Sequence, residues 1–139
     1  MAFTETSARL TDQGVMAMLT AAVQSATASG QPQCIVIVDA SGVVLGSFRM
    51  TGSRYLSLKS ATAKARTAAS IGAATHTLPD HAKAALAAAT GGDVTGLKGG
   101  LPIRSGGILL GGIGVGSGSG DQDEAVARAA LAAIGADEI

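Results

Sequence analysis

The chain has 139 residues, with ten Lys+Arg balanced by ten Asp+Glu. That length suits one domain, and the absence of net positive charge argues against general nucleic-acid binding, which draws its affinity from neutralised phosphates. Apolar residues make up 47% of the chain but aromatics only 2% (Phe3, Phe48 and Tyr55), so the core must rely on close approach through Ala and Gly rather than on large side chains.

Residues 1–9 read as a lead-in. Val15, Met18, Leu19, Ala22, Val23 and Ala26 then recur at helical spacing, with Thr11 placed to cap the start and Gly30-x-Pro32 to end it. Cys34–Val38 and Val43–Phe48 are β-branched runs separated by Asp39-Ala-Ser-Gly42, the pattern of an antiparallel hairpin. From Leu56 to Ile71 the pattern is helical again. Leu58, Ala61, Ala65, Ala68 and Gly72 form a narrow stripe of mostly small residues, and Ser60, Lys64 and Thr67 lie along a neighbouring one. A short helix is predicted over Asp80–Ala89 and a loop over Asp93–Gly100. A second hairpin follows, Leu101–Arg104 with Ile108–Val115, in which Pro102 marks an edge strand. A last helix is predicted after Gly120, capped through Asp121 and Glu124, with Val126, Ala129, Ala130, Ala133 and Ile134 as its buried stripe. Tight hairpins imply antiparallel pairing, so the expected fold class is α+β, one antiparallel sheet covered by helices in a single domain over 1–139.

The lone Cys34 cannot form an internal disulfide, no export signal precedes an apolar run, and no run is long enough for a membrane helix; a cytoplasmic location is the expectation. Scarce large side chains and a mean hydropathy of +0.37 favour burial of further apolar surface between subunits, hence a homo-oligomer. Charge is unevenly spread. Between Ala40 and Pro79 there is no acid, yet Arg49, Arg54, Lys59, Lys64 and Arg66 lie there. That segment favours a small anion or an acidic surface as partner, against the plainer alternative of a solvated helix face.

The glycine run Gly111–Gly120 fits neither G-x-G-x-x-G nor a P-loop, and reads as a flexible turn delivering a helix N-terminus. His76 and His81 show no zinc or c-type haem spacing; they read as surface residues, with a haem axial ligand or a general base as the functional alternative. Lys64, beside Arg66 and Thr67 on an Ala-rich helix, is a candidate anion hook or base.

With these motifs in place, the chain resembles the GlcG/HbpS family, the type also seen as the C-terminal domain of PduO-like proteins. The resemblance rests on Val38–Leu45, Phe48–Gly52, Ala63–Ala68, Gly99–Ile103, Gly112–Gly118 and Asp121–Glu124 in the family's order. It implies a three-layer α/β/α, profilin-like domain assembled as a higher oligomer, with haem or corrinoid links in some members. By motif match it carries Asp39, Arg49, Lys64, Thr67, Gly99, Gly100, Pro102 and Asp123 to a pocket. Thr51 stands where the family usually has Asp.

Three functions follow. The first is binding of an anionic small molecule, haem or another tetrapyrrole being the named candidate, by Arg49, Lys64, Arg66, Thr67, Gly99, Gly100, Pro102 and Asp123. The second is a cofactor-independent enzyme for a small oxo- or hydroxy-acid, with Lys64 as base or electrostatic hook, Arg49 or Arg66 as carboxylate clamp, and Thr67 or Asp39 as proton relay. The third is an accessory subunit in which Lys64 and Asp123 bridge elements. The first two require the cations of the middle helix and the strand before it to share one hollow.

Overall fold

The computed structural model describes residues 2–139. In chain order the elements are α1 (Asp12–Ser29), β1 (Cys34–Asp39), β2 (Val44–Arg49), α2 (Tyr55–Ile71), a 3-10 turn (Thr75–Thr77), α3 (Asp80–Ala89), β3 (Gly100–Ser105), β4 (Ile108–Gly116) and α4 (Gly120–Ala133). The strands form one antiparallel sheet in the order β2-β1-β4-β3. Pro102 lies on the outer strand β3, where its missing N–H costs no ladder bond on a central strand.

The alternation of β4 decides how the layers stack. Ile113 and Val115 face Ile37 and Ile35 of β1 and join Leu101 and Ile103 in the main core, which α1 and α4 cover with Val15, Met18, Ala22, Val126, Ala127 and Ala130. Gly112, Gly114 and Gly116 point the other way, in register with Val38, Val36 and Cys34. There α2 lies against the sheet through Ala61, Ala65 and Ala69. A Cβ on Gly112 would strike the Ala65 carbonyl, and one on Gly114 the Ala61 carbonyl. The Ala stripe of α2 and the glycines of β4 are thus two halves of one close contact.

Helix α1 starts on Thr11, whose side chain accepts from the Gly14 N–H, and ends on Gly30 in the left-handed region (φ 74°). Helix α4 departs from expectation. Its capping box is Ser119 with Gln122, two residues earlier than Asp121 with Glu124. Its buried face carries Val126, Ala127, Ala130 and Leu131, while Ala133 is exposed. Asp123 and Glu124 lie three residues, about one turn, before Val126 and Ala127 and are therefore turned inward on the same face. The glycine run is also not a flexible turn throughout, since its first half is β4. Helix α3 buries no residue and contributes to neither layer.

Candidate functional site

The centre of the site is a buried ion pair that crosses from α2 to α4. Lys64, 4% exposed, is carried to the β4 side of α2 by the stripe next to the Ala contact. Its Nζ donates to the Val115 carbonyl at 2.7 Å and to Asp123 Oδ2 at 2.9 Å. Asp123 is 2% exposed, and its Oδ1 accepts from the Gly118 N–H at 2.9 Å. The Gln33 amide, in the orientation that satisfies its neighbours, also donates to that oxygen. Burial raises the Asp123 carboxyl above its ordinary value, outweighing the opposing pull of Lys64 and of the Gly118 N–H.

Gly99 and Gly100 belong to this node, but as spacers. Gly99 has φ 124°, a conformation few side chains adopt, and a Cβ there would sit 3.0 Å from Lys64 Nζ and 2.7 Å from the Asp123 Cβ. A Cβ on Gly100 would press on the Lys64 carbonyl. Pro102 is buried on the same face of the sheet, opposite Gly112. Beside the pair lies a small hollow of about 250 Å³ whose wall includes Arg54, Ser57, Ser60, Lys64, Lys98 and Ser117. Lys98 closes one side, with its ammonium 2.6 Å from Asp121 and 3.8 Å from the buried Glu124.

Arg66 and Thr67 serve a different place. Arg66 Nε donates to the Gly42 carbonyl at 3.0 Å, and its Nη1 meets Asp93 Oδ1 at 3.2 Å. The Thr67 hydroxyl, fully buried, donates to the Asp93 carbonyl and accepts from the Thr95 N–H. These bonds hold residues 93–95 along the outer flank of α2. Between that flank and residues 91–95 runs a groove of about 660 Å³ that includes Tyr55, Leu56, Leu58, Lys59, Thr62 and Arg66. A second hollow of about 790 Å³, bounded by the β1–β2 turn, continues it and shares Arg66, Asp93 and Val94.

The expected convergence of cations is therefore corrected: Lys64 faces one hollow, Arg66 another, and Arg49 lies exposed on the edge strand β2, outside the principal cavities. Helical geometry is the reason, because residues two apart on α2 point some 200° apart. Asp39 does not join Lys64 and Thr67 either; its Oδ1 accepts from the Ser41 and Val43 N–H groups and shapes the hairpin turn. Thr51 is exposed in the loop before α2. His81 is exposed, and His76 Nδ1 lies 3.5 Å from Glu124 Oε1, a buried oxygen with no hydrogen-bond partner among the described residues. Neither histidine lines the α2 groove. Sequence reasoning did not single out Tyr55, Lys98 or Ser117 as site residues. Only Ser117 carried a signal, as a non-glycine residue inside a glycine run.

The model of a family described as haem degrading protein HbpS-like matches residues 10–132. The chain belongs to the HbpS-like family. Similar solved structures include a PduOC:haem complex, 32% identical over 94% of this chain and 98% of that one, with a TM-score of 0.87. Streptomyces reticuli HbpS is 34% identical in its double-mutant structure, over 93% of this chain and 89% of that one, with a TM-score of 0.83. The Klebsiella pneumoniae protein ORFY shares the fold at a TM-score of 0.92, with 24% identity over 99% of both chains. A search of curated proteins finds no match. Among the described residues no helix of this HbpS-like chain is long and apolar enough to cross a membrane, and no cluster of His, Cys, Asp and Glu is arranged to hold a metal ion.

Proposed function

We propose that the protein binds haem, or a similarly flat anionic tetrapyrrole, in the groove along the outer flank of α2, and that it works as a homo-oligomer. The observation that carries this reading is the makeup of the groove in a chain of this family. Leu56, Leu58, Ala63 and Ala87 line an apolar trough, and Lys59 and Arg66 stand along it as partners for propionates. A volume of about 660 Å³ falls in the range of ligand clefts, about 300–1,000 Å³. Similarity to a protein solved as a haem complex, at 32% identity, supports the choice of ligand.

Tyr55, at the first position of α2, is the side chain along this trough best suited to hold the iron, since a phenolate is an established axial ligand. Bound haem would supply a redox-active iron centre. The polypeptide supplies apolar walls, two cations, and the Thr67 and Arg66 bonds that keep residues 93–95 in place. Self-association is supported by the apolar side chains left outside, among them Val44, Leu45 and Phe48 on the edge strand and Tyr55 and Leu56 beside the groove. The HbpS-like match over 10–132 supports a single domain.

Titration with haemin is expected to give a saturable Soret change. Tyr55→Phe should alter the band, and Lys59→Ala with Arg66→Ala should weaken binding about tenfold or more, the effect of losing charge-assisted bonds. His76→Ala and His81→Ala should leave the spectrum unchanged. A Soret change that never saturates, or one lost only with a histidine, refutes the groove. Sedimentation of the same sample tests the assembly, which fails if the protein runs as a monomer at micromolar concentration.

A further inference from the structure

The small hollow at the start of α2 is a different kind of place from the groove, and at about 250 Å³ it holds roughly eight waters' worth of space, at about 30 Å³ each. A tetrapyrrole does not enter it. Its wall is made almost entirely of donors. Lys64 is buried, yet its ammonium has three N–H groups and only two acceptors among the described residues, the Val115 carbonyl and Asp123. Among the described residues the hydroxyl protons of Ser57 and Ser117 have no acceptor, and the Arg54 guanidinium has no acidic partner. Lys98 adds a further ammonium beside them. The one carboxylate of the wall, Asp123, is already committed to Lys64 and the Gly118 N–H. Counting charges, Asp123 balances Lys64, Asp121 balances Lys98 and Arg128 balances Glu124, which leaves Arg54 as the net positive charge.

The backbone of this wall is also strained. Ser117 has φ 88° and is the sole described non-glycine residue with positive φ. Within a run of glycines a glycine at this position would relieve that strain at once, so the side chain has a use that outweighs it. Its Oγ accepts from the Arg54 N–H at 2.9 Å, tying β4's exit to the first residue before α2. That bond leaves the Ser117 hydroxyl proton free and fixes the backbone from which the Arg54 side chain departs. Helix α2 has no side-chain cap of its own, so its first-turn N–H groups add to the positive potential of this end.

We infer that this hollow is a binding site for a small oxyanion of single charge, a carboxylate or a monobasic phosphate, held by Arg54, the spare N–H of Lys64 and the Ser57 and Ser117 hydroxyls. The site is independent of the tetrapyrrole reading. The anion supplies acceptors to a donor-rich wall and neutralises the one uncompensated cation. A second negative charge would face Asp121 and Glu124 across Lys98, which sets the preference for monoanions.

The test uses the haem-free full chain, labelled for amide NMR, titrated with sodium acetate and separately with sodium phosphate near pH 6.5, at ionic strength held constant with sodium chloride. Saturable shifts are expected at Ser57, Ser60, Ser117 and Gly118. Arg54→Gln should weaken the binding about tenfold or more, and Arg9→Gln, an equal loss of charge on the exposed lead-in, should not. Arg54 is exposed, so its replacement leaves the fold intact, which the unshifted remainder of the spectrum verifies. Saturation by acetate alone assigns the site to carboxylates, and by phosphate alone to phosphates. Shifts no larger than those given by chloride, or shifts unchanged in Arg54→Gln, overturn the inference.

Discussion

Replacing Lys64 by Met would remove the ammonium while keeping much of the side-chain volume. In the wild type Nζ bridges the Val115 carbonyl at 2.7 Å and Asp123 Oδ2 at 2.9 Å, with both side chains nearly enclosed. The variant leaves a carboxylate that is 2% exposed without its counter-ion. Breaking a buried pair from one side costs about 3–5 kcal/mol, because the remaining charge stays desolvated. Total stability for a domain is about 5–15 kcal/mol, so the loss is a large share of it. With a urea slope of about 1.7 kcal/mol per M, the midpoint should fall by about 2–3 M. Adding Asp123→Asn should return more than half of the loss, since the charge is gone and an amide oxygen still accepts from the Gly118 N–H. The assay is urea unfolding followed by far-UV circular dichroism, with all four members of the cycle compared at pH 7. A Lys64→Met cost below about 1 kcal/mol, or a double variant no more stable than Lys64→Met, would refute the account of the pair.

Two further outcomes follow from the geometry. Gly114→Ala places a methyl against the Ala61 carbonyl and the Ala65 N–H, so α2 must lift from the sheet; a loss of about 3 kcal/mol or more, or insoluble protein, is expected from overpacking, and a midpoint within experimental error of wild type would contradict it. The acid limb of stability should separate Asp123 from Asp121. Burial raises the Asp123 carboxyl in the folded state, so its contribution is fully present below the ordinary carboxylate pKa and lost as pH rises through the folded value. Asp121 is lowered by its hydrogen bond from Lys98, so its contribution is present above the ordinary value and lost as pH falls. Relative to wild type, Asp123→Asn should therefore compare better at pH 7 than at pH 3.5, and Asp121→Asn worse. Slopes of the same sign in the two variants would remove the distinction.

Much of the site's failure to appear in sequence comes from one misplaced inference. Within an acid-free segment Arg49, Lys64 and Arg66 were expected to share a hollow, yet Lys64 and Arg66 leave α2 on different sides and find Asp123 and Asp93, acids from outside that segment. A one-signed stretch of chain is not a one-signed surface, because side chains pair across the fold. The carry-over by family resemblance to Lys64, Gly99, Gly100 and Asp123 did gather residues that meet in space. Asp39 and Thr67, brought in by the same resemblance, turn out to hold a turn and a loop through backbone partners. Short polar side chains serve the backbone as readily as they serve a ligand, and a sequence does not distinguish the two.

The sequence alone determined what depends on local chemistry. Periodicity set α1 and α2, Thr11 and Gly30 bounded the first helix, and the Asp39–Gly42 and Ser105–Gly107 turns set both hairpins. The Gly-Ile-Gly-Val-Gly alternation of β4 and the Ala stripe of α2 were visible as patterns. That the two face each other was settled by the strand order β2-β1-β4-β3, which puts β4 at the centre under α2. The same order brings the exit of β4 and the start of α4 beside Lys64, and so joins side chains 59 residues apart. Local rules act through a few neighbouring dihedrals and fix elements, whereas pairing between distant charges depends on which faces are forced together when the apolar surfaces are buried.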